Sequence, residues 1–489
     1  MARNLLMTSP ARPAVLVRVL LIGATALAGC TVGPDYVRPA SQLPAHFVER
    51  APEGPSSLRV GQAWWTVFHD DALDTLIAEA LQRSPDLEMA RARVLEARAE
   101  RAAVSGELLP EFSTDAAYAR QHGSANVPTG TPPGGLGPGL DSNLWLNGFD
   151  ASWELDLFGG TRRAVESADA TLAATLADRE EAELTLTAEI ARDYIELRTE
   201  QRRLAIAREI LSLRRDSLRL ATAQFESGFA PALDPIRAQV ELADSEAEVP
   251  LLEAGTRTAI YRLGVLAGRS PETLLSLLAP SRPVPEVQAE VPIGLPSDLL
   301  RRRPDIRAAE RLLAAANARI GVREADLYPH FSLTGVAGFE SLEAGSFLTG
   351  PSRYFAVGPS ISWLVFDANR IRDEALAEQA RRDAAAAAYR TTVLRALSEV
   401  ESALVAYGRS EERRKALQEE VQASTKAVTL ARQLYASGLQ DYLTVLDAQR
   451  SVRRVEMSLA TSNETCADSF IALVKALGGD WGTPRRPIR

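Results

Sequence analysis

The 489-residue chain carries a formal net charge of −9, with 24% charged and 46% hydrophobic residues. An acidic balance with only three lysines, Lys415, Lys426 and Lys475, argues against neutralisation of nucleic-acid phosphates, and none of them follows a glycine as a phosphate-binding loop requires. Two cysteines cannot form a disulfide framework, four scattered histidines (His46, His69, His122, His330) lack metal-ligand spacing, and no apolar run after residue 30 is long enough for a spanning helix.

At the N-terminus Arg3 and Arg12 precede an apolar run that ends in small residues, the layout of a secretory signal peptide over residues 1–29. Its end, Leu27-Ala28-Gly29-Cys30, resembles the bacterial lipobox, in which the cysteine is acylated and becomes the first residue of the mature chain. Thr31 in place of aspartate after Cys30 resembles the sorting signal for the outer membrane, and several acyl chains suffice for stable anchoring. Ordinary cleavage beside an incidental cysteine is the plainer alternative. Residues 30–60 then form an anchored extended segment, and Cys466 is left unpaired as a small buried apolar residue.

Length alone suggests about three domains, but the chain is written twice. At an offset of 219, Pro85-Asp86 falls on Pro304-Asp305, and Leu108-x-Pro110-x-Phe112-Ser113 falls on Leu327-x-Pro329-x-Phe331-Ser332. Further on, at an offset of 210, Ser227-Gly228, Leu233 and Ala238-Gln239 match Ser437-Gly438, Leu443 and Ala448-Gln449. The offset shrinks because the Gly/Pro-rich stretch Gln121 to Leu144 is longer than its counterpart around Ser341 to Ser352. Repeat 1 is expected over 61–270, a proline-rich linker over 271–297, repeat 2 over 298–478 and a tail over 479–489.

Within each repeat the apolar period changes from helix to strand and back. Phe112 to Arg120 and Phe331 to Glu340 are the weaker strands, each entered through Pro-x-Phe-Ser. The clearer alternation puts Trp145, Asn147, Phe149, Ala151, Trp153, Leu155 and Leu157 on one face, with Gly148, Asp150, Ser152, Glu154 and Asp156 on an acidic, water-filled one. Its counterpart aligns Phe355, Val357, Pro359, Ile361, Trp363 and Val365. From Thr161 to Ser227 there is no glycine or proline, and Ile190, Leu197, Leu204, Leu211, Leu218 and Phe225 recur every seven residues, the pattern of a coiled-coil helix. Ile371 to Ser437 repeats it, with Val400, Tyr407, Val421, Val428 and Tyr435 in the stripe and Arg414 breaking it. Each long helix stops at Ser-Gly and is followed by a returning helix, Leu233 to about Gly264 and Leu443 to about Leu477.

A half-buried strand of a soluble sandwich also alternates. Four such runs with aromatic ends, in an exported and anchored chain, point instead to transmembrane β-structure. Strands enter a bilayer only as a closed barrel, and bacterial barrels begin at eight strands, so several chains must pool their four; three chains give twelve. The fold class expected is mainly α with membrane β: a trimeric twelve-stranded barrel continued by a long α-helical barrel, together forming a duct.

The residues Cys30-x-x-Gly33-Pro34-Asp35-Tyr36, Trp64-Trp65-x-x-Phe68, Leu295-Pro296-x-Asp298-Leu299-Leu300-Arg301-Arg302-Arg303-Pro304-Asp305-Ile306 and the turn from Ser437-Gly438 to Gln449 resemble the outer-membrane factors of the TolC superfamily, specifically the NodT-type lipoprotein branch serving RND efflux systems. The resemblance implies a homotrimer in outer-membrane lipid, docking through its periplasmic end onto an adaptor (membrane fusion) protein and an inner-membrane RND transporter, with no cofactor beyond a covalent lipid on Cys30. It further implies a periplasmic gate at Leu443, Asp447 and Arg450, with Asp234, Tyr435 and Gln440 as candidate links between hairpins. Gln440 departs from an arginine that some members carry in that link, and Thr444 from an aspartate in the constriction. Leu443 is equally readable as a helix-packing residue.

Other motifs carry less. Gly134 to Gly139 is crowded by prolines and no strand leads into it, so it reads as an exposed loop; no Gly-x-Ser-x-Gly elbow frames a serine; and Arg301 to Arg303 reads as structural, with Asp305 capping the next helix. No residue is a credible catalyst. The alternatives are a structural periplasmic coiled-coil lipoprotein, which has no use for four alternating segments, an envelope hydrolase, which lacks a catalytic constellation, and a duct for metal ions or secreted polypeptides.

Overall fold

The structure, a computed structural model, describes residues 31–40, 43–49, 63–124, 126, 140–286 and 295–479. Cys30, the signal segment, the Gly134 to Gly139 loop and residues 480–489 of the tail lie outside the described residues. After a 3₁₀ turn at Trp64–Phe68 come helices α1 (Asp71–Arg83) and α2 (Pro85–Gly106), strands β1 (Glu111–His122) and β2 (Asp141–Leu155), and helices α3 (Gly160–Glu226) and α4 (Leu233–Leu266). Then α5 (Pro296–Arg302), α6 (Pro304–Ala325), β3 (His330–Ser341), β4 (Arg353–Ser362), α7 (Arg370–Ala436) and α8 (Tyr442–Ala476) follow the same order.

The local reasons are readable in the residues. The Asp70 carboxylate accepts from the Ala72 and Leu73 amides and so caps α1. Helices α3 and α7 each run for 67 residues, about 100 Å at about 1.5 Å per residue, and end where Gly228 (φ +77°) and Gly438 (φ +71°) adopt the left-handed conformation. All four long-helix boundaries fall within two residues of expectation.

The strands stop earlier than the alternation does. β2 ends at Leu155 rather than Leu157, because Asp156 leaves the ladder and accepts from the Thr161 and Arg162 amides at 3.2 and 2.9 Å, capping α3. Asp156 therefore belongs to a helix start and not to an acidic face. β4 ends at Ser362, ahead of Trp363 and Val365, and Asp367 caps α7 through the Asn369 and Ile371 amides in the same way. At the other end, β1 and β2 extend into the Gln121 to Leu144 stretch, pairing Gln121 with Ser142 and His122 with Asp141.

The described residues fall into two compact units. The first, from within 1–39, 95–173 and 310–387, holds the sheet, whose order is β1-β2-β3-β4 with every neighbour antiparallel. The helices entering and leaving the sheet pack through small side chains: Ala170, Ala314 and Ala315 form one cluster, and Ser167 donates to the Ala315 carbonyl at 3.1 Å. The second, from within 40–94, 174–309 and 388–489, has its core around Trp64, Phe68, Leu73, Leu76, Tyr194, Leu197 and Phe470.

Of the expected linker, residues 271–286 pack against the core, while residues 287–294 lie outside the described residues. Leu274 and Leu278 are fully buried, and the buried Arg198 guanidinium donates to the Pro280 carbonyl at 2.9 Å, while α5 already begins at Pro296. Asp305 lies inside the first turn of α6 and not at its cap; it accepts from the Ile306 amide at 2.8 Å and receives Arg303, whose Nη2 lies 2.7 Å from both Asp305 and Glu399. Cys466 is buried, but it is not merely apolar, since its thiol donates to Glu411 at 2.6 Å.

Candidate functional site: sheet and helical tip

Cross-strand register decides what each face of the sheet presents. Phe112, Ala151, Gly335 and Val357 form one row across the four strands; Thr114, Phe149, Ala337 and Phe355 form the next on the same side. That side is apolar and bare: Phe112, Phe149, Phe355, Val357 and Ile361 are between 63% and 82% exposed. Aromatic rings stand at both ends of it. Tyr118 packs against Trp145 at 4.5 Å at one end, and at the other the Trp153 and Trp363 indoles donate to the Leu108 and Leu327 carbonyls at 2.9 and 3.1 Å. A water-facing sheet would not expose such a belt, whereas a lipid-facing one requires it.

The opposite side carries Ser113, Asp115, Asp150, Glu154 and Glu340, with His330 held to Glu154 at 2.7 Å. Gly148 and Gly338 sit side by side there, and a Cβ on Gly338 would fall 2.1 Å from the Asn147 carbonyl oxygen. Among the described residues β1 and β4 each have one neighbouring strand, so their outer edges present unpaired backbone groups.

Just below the sheet the N-terminal strap is fixed in place, a feature that the Gly33-Pro34-Asp35-Tyr36 motif hinted at without explaining. Val32 N–H donates to the Phe158 carbonyl at 3.0 Å, and the buried Arg163 donates to the Val32 and Gly33 carbonyls and to Asp35 at 3.1, 3.2 and 2.7 Å. Asn317 donates to the Pro34 carbonyl at 2.7 Å and Tyr36 to Glu310 at 2.6 Å. Gly33 is obligatory, with φ at +88° and a virtual Cβ 2.4 Å from Gly321 Cα.

At the helical tip, α8 turns one face inward and one outward. Tyr442, Val445, Leu446 and Gln449 are buried, with Leu446 packed among Ala221, Ala238, Ala431 and Tyr435. Leu443, Thr444, Asp447 and Arg450 lie on the other face and are exposed, Leu443 by 43%. Asp441 caps α8 by accepting from the Thr444 amide and hydroxyl at 3.0 and 2.8 Å, which holds its carboxyl below the usual range; Thr444 also donates to Gln440 at 3.3 Å. Tyr435 packs against Tyr442 at 5.5 Å, and burial together with the nearby Asp234 charge raises its phenol. Burial raises Asp234 likewise.

Arg450 is not free to pair with Asp447. Its guanidinium donates from both Nε, at 3.0 Å, and Nη2 to one oxygen of Glu241 on α4, which keeps the charged form favoured. The other Glu241 oxygen lies 2.7 Å from Nη2 of Arg214, a side chain only 1% exposed, whose pKa burial lowers. Arg453 reaches Asp244 at 3.3 Å and also Glu248. Glu241, Asp244 and Glu248 were absent from the expected site. Their signal was an acidic series on α4 facing Arg450 and Arg453 on α8 at nearly constant offset. No group of metal-holding side chains occurs among the described residues.

The sequence profile of the outer membrane efflux proteins matches residues 76–269 and 295–479. Nodulation protein T of Rhizobium leguminosarum bv. viciae is 32% identical over 470 residues, spanning 94% of this chain and 92% of its own. The toluene efflux pump outer membrane protein TtgC of Pseudomonas putida is 31% identical over 470 residues, spanning 94% and 95%. The solved structure of the outer-membrane channel OprN superposes with a TM-score of 0.85 at 36% identity, covering 92% of this chain and 100% of its own. With the profile matching twice and along most of its length, the chain belongs to the outer membrane efflux protein family.

Proposed function

We propose that the chain is the outer-membrane exit duct of a tripartite efflux pump, a homotrimer in which three four-stranded sheets close into one twelve-stranded barrel and the paired long helices form a periplasmic tube. The observation that carries this is the sheet: its apolar face is bare, its carboxylates stand on the opposite face, and among the described residues neither outer edge has a partner. In hydrocarbon those edges must be paired, and closing the sheets on one another is the way to do it. The twofold order of elements supports an internal repeat that gives six similar hairpins around the tube.

Cys30 carries the lipid anchor in this reading, and the strap beginning at Thr31 is held against Gly159, a few residues past the end of β2. The partners are a periplasmic adaptor and an inner-membrane RND transporter, with small toxic compounds as cargo, in keeping with the toluene pump component to which the chain is similar. Nucleic acid has no place in it.

Leu443 and Asp447 form the gate. They share the outward face of α8, where threefold repetition turns each into a ring: leucine narrows and dries the lumen, aspartate repels anions. Arg450 supports the gate by tying α8 to α4 through Glu241, and Asp234, Tyr435 and Gln440 line the adjoining turn. The test is single-channel conductance of the Leu443→Ala/Asp447→Ala protein in planar bilayers. Higher conductance with weaker cation preference is expected, since alanine preserves the helix; unchanged conductance in a correctly assembled oligomer would put the constriction elsewhere.

A further inference from the structure

The four helices that enter and leave the sheet line a cavity of about 560 Å³ beneath it. Pockets for small organic molecules span about 300–1,000 Å³. Its walls are apolar, from Ala97 and Val104 on α2, Ala164 and Ala168 on α3 and Val322 on α6, and its rim carries Glu100, Arg101, Arg319, Arg323 and Glu378. Three of those charges already have an opposite partner: Arg101 holds Asp169 at 2.7 Å, Arg323 reaches Asp326 at 3.3 Å, and Glu378 receives Arg381. Glu100 and Arg319 are exposed and have no ion pair among the described residues.

The two uncommitted charges stand on different helices. Helix α3 runs between α2 and α6, since Asp169 receives Arg101 of α2 while Ser167 donates to the Ala315 carbonyl of α6. Glu100 and Arg319 therefore flank the small side chains of α3 from opposite sides. The cavity also has a definite orientation. Asp326, the partner of Arg323, lies 4.0 Å from His330, which is held to Glu154 on the acidic side of the sheet. The N-terminal strap occupies the other side of α6, on Asn317 and Gly321; Arg319 is two residues from each, or about 200° around the helix. An acylated Cys30 puts the strap on the lipid side, so the cavity opens into the lumen.

We propose that this cavity is a wall site of the duct for amphiphilic zwitterions, molecules with an ammonium at one end of an apolar body and a carboxylate at the other. The carboxylate goes to Arg319 and the ammonium to Glu100. The body lies on Ala164, Ala168 and Val322, where its burial supplies binding that two exposed ion pairs alone would not. A molecule with a single charge leaves one rim group unmatched. The inference names a class of cargo and rests on the duct reading above. Repeated in three copies, the sites form a collar ahead of the acidic barrel.

The test records single-channel current through the full chain in planar bilayers, with Leu443→Ala/Asp447→Ala as background so that the tip does not limit flow. Three probes of one shape are compared: a naphthalene with an aminomethyl group at one end and a carboxylate at the other, and the naphthalenes bearing either group alone. The zwitterion is expected to interrupt the current for longer than either single-charge probe, and Ala168→Trp, which fills the cavity, is expected to remove the interruptions. Arg319→Gln should shorten those of the zwitterion and the anion by up to about fivefold and leave the cation's unchanged; Glu100→Gln should shorten those of the zwitterion and the cation and spare the anion's. Equal interruption by all three probes, or interruptions that survive Ala168→Trp in an oligomer of unchanged heat stability, would overturn the site while the salt current keeps the duct standing. A folded oligomer that carries no current would overturn the duct itself.

Discussion

Glu241→Gln isolates the electrostatic tie at the tip. The carboxylate faces two guanidinium groups of very different worth. Arg450 is 57% exposed, and such a pair contributes no more than about 1 kcal/mol in water. Arg214 is 1% exposed against a carboxylate 11% exposed, and removing one partner of a buried pair costs about 3–5 kcal/mol because the survivor stays buried and charged. Glutamine keeps the shape but not the charge, so local opening of α4 and α8 around residues 241 and 450 should become easier by about 3 kcal/mol, which is about a hundredfold in amide hydrogen exchange at the tip. Peptides from the core around Tyr194 and Leu197 should exchange as before. Adding Arg214→Met removes the stranded charge and should recover most of the protection. Exchange at the tip unchanged in the single variant, or no recovery in the double one, would refute the assignment of Glu241 as the tie.

A new arginine on the bare side of the sheet should prevent assembly where one on the acidic side does not: Phe149→Arg, at mid-belt, costs about 2–4 kcal/mol per chain in lipid and should abolish the heat-modifiable oligomer, while Asp150→Arg should leave it intact. Burial, then Asp468, Glu196 and Glu200, push Glu464 up to about 7, and burial is also the main cause that pushes Asp468 up to about 6. Since these folded-state values lie above the ordinary 4.5 and 3.8, the folded form holds protons that the unfolded chain releases, so stability here falls as pH rises from about 4 to about 7. Exchange protection of the α3 and α8 segments flanking Glu464 should accordingly be greater at pH 5 than at pH 8, and Glu464→Gln should flatten that difference.

What could be read in the sequence was whatever depends on local periodicity. The long helices were legible because nothing breaks them between Gly160 and Glu226, and the sheet faces because every second residue from Trp145 to Leu155 is apolar or neutral. Strand ends were misread at Asp156 because alternation continues through a residue that has already turned to cap the next helix. At the site, Leu443, Asp447 and Arg450 were legible only through the resemblance, and the structure puts them together on the exposed face of α8. The partner of Arg450 was not, because pairing with Glu241 joins residues 209 apart and depends on how two helices lie side by side. Arg163 was likewise invisible: an arginine in a helix gives no local sign that three backbone or carboxylate acceptors from the N-terminal strap will surround it.

That strap also imposes an order in time. Its docking partners include Glu310 and Asn317, which lie 274 and 283 residues downstream of Tyr36 and Pro34. During synthesis and export the segment from Thr31 to Tyr36 thus emerges long before the groove that receives it exists, and most of the chain must follow before it can settle. Throughout that interval the strap has nothing to dock on, so its burial is one of the last local events in folding.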